Sequence, residues 1–269
     1  MKSVLLHISD DEGQESRLIA ALAVARQQAA RLTCIQITPV SDYVVTDPFG
    51  GMHEVAMLFE HLAAQAVELR TRIEARLGQE RVAWEWSVHD GGVAGTLVSR
   101  SRLADLIVLS QEGRTGRAGA RQVPLVADVA IHARTPVLAV PVEGPAFDPG
   151  GVAMIAWNGS PESAYAVRVA LPLLRLASAV HVITVDENEH PPMDDIRRYL
   201  EDHGVTAECA QHGLNGNTVG CALGEAATEV AAAYIVMGAY GHSRLREAVL
   251  GGVSRRMLAE SPVPLLLAH

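Results

Sequence analysis

The chain repeats itself, and a chain that uses one α/β unit twice has few folds open to it. The apolar run Val4–Ile8 leads through acidic and small residues to Glu15-Ser16, at the start of a helical pattern. Val152–Ala156 leads in the same way through Asn158-Gly159-Ser160 to Glu162-Ser163. Leu32–Thr38 answers Val180–Val185, and Asp105–Ser110 answers Ala233–Gly238. Thr135-Pro136-Val137 answers Ser261-Pro262-Val263. Short apolar runs separated by helical patterns argue for parallel strands covered on both faces. Five strands are expected per unit, near 3–9, 32–39, 82–88, 105–110 and 136–141, then near 151–157, 179–185, 205–211, 233–238 and 262–268. A long helix near 54–77 precedes the third strand of the first unit, and a shorter one near 193–203 that of the second. The Pro- and Gly-rich stretch 143–151 is the expected linker, giving domains 1–147 and 148–269. The apolar fifth strands are expected to pair across a pseudo-two-fold axis, since each would otherwise expose a sheet edge.

Composition narrows the function. Hydrophobic residues make up 49% of the 269 and aromatics only 4%, so the core is aliphatic. The net charge of −9 is the wrong sign for a duplex-DNA binder that relies on phosphate neutralisation. Lys2 is the only lysine, which excludes a Walker A loop, a kinase ATP lysine and a Schiff-base lysine. Cys34, Cys209 and Cys221 form no C-x-x-C pair, and the eleven histidines show no short ligand spacing. Neither a signal peptide nor a membrane-spanning run is visible, so a cytoplasmic location is expected.

Ligands of open parallel sheets bind beyond the carboxyl ends of the strands, where connections switch direction. After the fourth strand of the second unit stand Gly238, Gly241, His242, Arg244, Gly251, Gly252, Val253 and Ser254. Glycines allow close backbone approach, and the helix start that follows offers free N–H groups to an anion. Arg244, Arg246, Arg255 and Arg256 surround this loop and suit a phosphate.

With these residues the chain resembles the universal stress proteins in their tandem two-domain form. Nucleotide-binding members carry G-x2-G-x9-G followed by Ser or Thr after the fourth strand, and Gly238, Gly241 and Gly251 have that spacing. The resemblance covers nearly the whole chain. It implies two tandem doubly wound α/β domains, each a five-stranded parallel sheet of order 3-2-1-4-5 flanked by helices. It also implies an adenine nucleotide ligand, ATP or its ADP and AMP relatives, accompanied by Mg. Dimer-like pairing of the domains follows, within the chain or in a homodimer, and vigorous catalysis does not. By the same resemblance Asn158 and Val185 face the base. Two positions depart from the pattern: Gly252 replaces the Ser or Thr, and Asn158 replaces an Asp. In the first unit Ser110 stands opposite Gly238, and Leu125 and Val126 stand opposite Gly251 and Gly252, so only the second unit is expected to bind nucleotide tightly. The competing reading is an interaction or scaffold module that has lost the nucleotide. An enzyme on the same fold is disfavoured, because no S-G-G-x-D-S loop, no G-x-S-x-G elbow and no acid/base pair is present.

Overall fold

The computed structural model describes residues 1–38, 52–111, 124–185, 193–214, 216–241 and 252–269, with only the backbone described over 52–59. The first half runs β1 (Ser3–Ile8), α1 (Gln14–Gln28), β2 (Arg31–Thr38), α2 (Met52–Leu77), β3 (Trp84–Asp90), α3 (Val93–Arg100), β4 (Leu106–Ser110), α4 (Leu125–His132) and β5 (Val137–Val140). The second runs β6 (Val152–Ala156), α5 (Pro161–Leu174), β7 (Ala179–Val185), α6 (Met193–Asp202), β8 (Glu208–His212), α7 (Val219–Glu229), β9 (Tyr234–Gly238), α8 (Gly252–Glu260) and β10 (Leu265–Ala268).

All ten strands form one sheet, in the order β3-β2-β1-β4-β5-β10-β9-β6-β7-β8. Within each half every pair is parallel and the order is 3-2-1-4-5, as expected for the tandem doubly wound class. The halves meet where β5 and β10 pair antiparallel, with Leu266 opposite Leu138.

Period-2 alternation divides the strand side chains between two aliphatic layers. Val4, Leu6 and Ile8 pack with α1, α2, α5 and α6 on one face. Leu5, Ile107 and Leu109 pack with α3, α4, α7 and α8 on the other. The two outermost strands, β3 and β8, each lie about two residues further along than their sequence suggested. As edge strands they carry mixed polar sequences, Trp-Glu-Trp-Ser-Val-His-Asp and Glu-Cys-Ala-Gln-His, which hide the apolar signal. β10 begins only at Leu265, because Pro262 and Pro264 have no N–H for the ladder.

His7 of β1 gives the fold a pH dependence. Burial, reinforced by the Arg17 guanidinium and opposed by Asp11, lowers its pKa from 6.5 to about 4. The unfolded chain therefore takes up this proton near pH 6.5, and the folded chain only near pH 4. Stability is intact above the unfolded pKa and declines as pH falls through this window, by about 2 kcal/mol at pH 5. Urea unfolding at pH 7.5 and pH 5 should show that loss in the native chain. His7→Gln should lack this component, and equal pH slopes in the two proteins would refute it.

Candidate functional site

In the second half the carboxyl ends of β6, β7 and β9 open into a cavity of about 300 Å³ at the switch point of the sheet. Asn158, Val185, Gly238, Gly241, Gly252, Val253 and Ser254 all line it. These residues come from four separate stretches of chain, so the fold assembles what the sequence only suggested. His242, Arg244 and Gly251 lie outside the described residues, as do Arg246, His190 and the Gly113 loop of the first half.

Local chemistry fixes the β6–α5 turn. Asn158 Oδ1 accepts the Ser160 N–H at 3.2 Å, and Gly159 supplies the positive φ of +71°. Ser160 Oγ caps α5 by accepting the Ser163 N–H at 3.1 Å, with Pro161 at the first helical position. The Asn158 side-chain oxygen thus uses one of its two lone pairs within its own turn. The NH2 group and the second lone pair remain for a ligand.

On the opposite wall Ser254, in the first turn of α8, accepts the Tyr240 N–H at 3.4 Å and ties that helix to the end of β9. Tyr240 holds a left-handed φ of +57°, a conformation that non-glycine residues take up mainly where surrounding structure enforces it. Burial pushes its hydroxyl up to about 12. Val219 and Leu223 of α7 and Met237 of β9 complete an apolar floor.

Several features were not legible in the loop itself. Glu162, in the first turn of α5, also lines the cavity. A Cβ on Gly238 would fall 2.6 Å from the Ser163 nitrogen and 2.7 Å from the Glu162 carbonyl carbon. A Cβ on Gly241 would fall 2.7 Å from Glu162 Oε2. These two glycines therefore let α5 and Glu162 approach β9, whatever ligand is bound. Gly252 differs, with nothing within 4 Å of its absent Cβ. The arginine expectation also needs revision. Arg256 donates to Glu260 at 2.8 Å and to Thr218 Oγ1 at 3.2 Å, joining α8 to α7. Arg255 is exposed, and neither arginine is part of the cavity wall.

Three wall residues carry buried polar atoms with no partner among the described residues: Trp157 Nε1, Glu162 Oε2 and Tyr240 Oη. Buried polar groups are normally paired, so three unpaired ones around one cavity fit a site completed by a polar ligand or water. Among the described residues no group of three His, Cys, Asp or Glu is arranged to hold a metal ion. No described helix is long and apolar enough to cross a membrane.

In the first half a buried arginine joins the ends of β1 and β4. Arg17 of α1 is buried, with 2% of its surface exposed. It pairs with Asp11 in a two-pronged contact, Nη1–Oδ1 at 2.8 Å and Nη2–Oδ2 at 3.0 Å. It also donates to the carbonyls of His7 and Ser9, each at 3.2 Å, and to Ser110 Oγ at 2.8 Å. One guanidinium thus bridges the ends of β1 and β4. The clue in sequence was an Arg following Glu15-Ser16, where Ala164 follows Glu162-Ser163.

Sheet order and cavity position place the molecule among the open, doubly wound α/β proteins that present their loops at a switch point. Comparison with known proteins narrows this further. The model of the universal stress protein family matches residues 1–141 and 218–269, and the chain belongs to that family. It is 26% identical over 162 residues to universal stress protein Rv1996 of Mycobacterium tuberculosis (strain ATCC 25618 / H37Rv), covering 54% of this chain and 51% of that protein. The same figures hold for universal stress protein Mb2019 of Mycobacterium bovis (strain ATCC BAA-935 / AF2122/97), so the chain spans about half the length of these curated relatives. The crystal structure of a universal stress protein from Archaeoglobus fulgidus DSM 4304 matches with a TM-score of 0.77 at 14% identity. That match covers 99% of this chain and 96% of the other, a likeness of fold.

Proposed function

We propose that the second half of the chain is a nucleotide-responsive regulatory module, binding one adenine nucleotide in the cavity between β6, β9 and the start of α8. The observation that carries this reading is the convergence of Asn158, Val185, Gly238, Gly241 and the Gly252–Ser254 turn on one cavity of about 300 Å³. That volume suits a small ligand. Its floor is apolar, as a purine requires, and the first turn of α8 lies at one side, a place where helix-start N–H groups favour an anion. The side-chain NH2 of Asn158 is available to a base nitrogen or carbonyl. The first half acts as the structural partner, because Ser110, Leu125 and Val126 stand where the second half has Gly238, Gly251 and Gly252. By this reading the module holds or senses nucleotide within a stress response and carries out no strong catalysis.

One set of observations favours the scaffold alternative: Gly238, Gly241 and Arg256 are each explained by packing alone. Thermal unfolding with ATP, ADP, AMP, adenosine and flavins decides between them. A ligand bound only by the native state at 100 times its Kd adds ~2.7 kcal/mol. A rise in Tm with the adenine series and none with flavins is expected. No shift with any of them would favour the scaffold.

A further inference from the structure

Arg244 and Arg246 lie outside the described residues, and the described wall of the cavity carries a negative charge. Of the fifteen described residues lining it, Glu162 alone is formally charged. Arg256 is engaged by Glu260 and Thr218, outside the wall. Two features place and favour this carboxylate. Its backbone lies in the first turn of α5, where the helix dipole favours an anion, and its Oε2 lies where a Gly241 side chain would otherwise be. That oxygen is buried and has no donor among the described residues. Glu162 as a whole is half-buried, and its carboxylate acts on whatever shares the cavity.

We infer that Glu162 makes this cavity selective for charge: it favours a phosphorylated ligand whose phosphates a divalent cation neutralises. This rests on the adenine-nucleotide reading above and assigns a role to a residue outside the glycine motif. A bare phosphate at the start of α8 gains from the N–H groups there and is opposed by Glu162. A nucleoside has no such conflict. A phosphate accompanied by Mg²⁺ removes the repulsion, and it supplies the unpaired Oε2 with a positive partner, directly or through a bound water. Gly252, which lacks the hydroxyl that Ser or Thr would offer a phosphate, is consistent with reduced demand for direct phosphate contacts.

The test is calorimetric titration of the native chain and Glu162→Gln with adenosine and ATP. Each titration is run at fixed ionic strength, once with Mg²⁺ and once with EDTA. For the native chain, removing Mg²⁺ should weaken ATP about tenfold and leave adenosine unchanged. In Glu162→Gln, which keeps size and shape, Mg²⁺-free ATP should gain about tenfold, so that the effect of Mg²⁺ falls below about threefold. Adenosine should bind both proteins within about threefold, which also shows that the variant folds. An unchanged Mg²⁺ dependence in the variant would overturn the inference and leave the nucleotide reading standing. Parallel loss of adenosine and ATP would overturn it too, since Glu162 would then serve binding in general. If neither ligand binds the native chain, the nucleotide reading itself falls and this inference with it.

Discussion

Arg17→Met is expected to destabilise the chain by about 3 kcal/mol while leaving nucleotide binding in the second half intact. The substitution keeps most of the apolar stem and removes the guanidinium. Asp11, whose side chain is 44% exposed, can return to water at little cost. The His7 carbonyl and Ser110 Oγ lose a charged donor, at about 1–3 kcal/mol for each group left unsatisfied, while the Ser9 carbonyl and Gln14 Oε1 keep their bonds from Asp11 N–H and Ser9 N–H. Partial hydration of the vacated space reduces the sum, which places the expectation at the lower end of the range for a broken buried pair. At roughly 2–4 °C per kcal/mol for a chain of this size, Tm should fall by about 6–12 °C. Asp11→Asn should cost about 1 kcal/mol, because its partner keeps its other acceptors. A change below 1 kcal/mol in Arg17→Met would mean that the bridge between β1 and β4 contributes nothing net. Loss of ATP binding in a folded Arg17→Met protein would relocate the site to the first half.

The second large effect separates the glycines by the reason each is there. Gly238→Ala introduces a methyl 2.6 Å from the Ser163 nitrogen and 2.7 Å from the Glu162 carbonyl carbon, both backbone atoms that cannot step aside singly. Helix α5 must move away from β9, and overpacking of this kind costs about 1–3 kcal/mol, with Gly238→Val above that range. Gly252→Ala meets nothing within 4 Å and should be neutral or slightly stabilising. Chemical denaturation of the variants checks the order. Equal destabilisation by Gly238→Ala and Gly252→Ala would contradict the packing explanation. The first half meets the same helix–strand approach with the glycine on the other side: a Cβ on Gly13 of the β1–α1 turn would lie 2.2 Å from Ser110 Oγ of β4.

These two sites show where sequence reasoning reached and where it stopped. The repeat and the parallel sheet were legible because central strands buried on both faces leave continuous apolar runs such as Leu106–Leu109 and Tyr234–Met237. The cavity was legible because the loop glycines follow such a strand. The role of Gly238 and Gly241 was not. Their neighbour Glu162 is more than seventy residues away, and only sheet order β9-β6 brings α5 against β9. Arg17 looked like one more helix arginine, since its burial depends on Ser110 across the sheet. Arg256 looked like a phosphate ligand, because nothing local to it announces Thr218.

The central claim, one adenine nucleotide per chain in the second half, is tested most directly by the stoichiometry of ATP·Mg²⁺ binding to the native chain and to Gly252→Leu. Position 252 lines the cavity and has open space at its Cβ, so leucine there should leave the fold intact while blocking the ligand. The expected result is a single site in the native chain, weakened at least about tenfold in a Gly252→Leu protein of unchanged Tm. Two equivalent sites per chain, or undiminished binding in the variant, would contradict it.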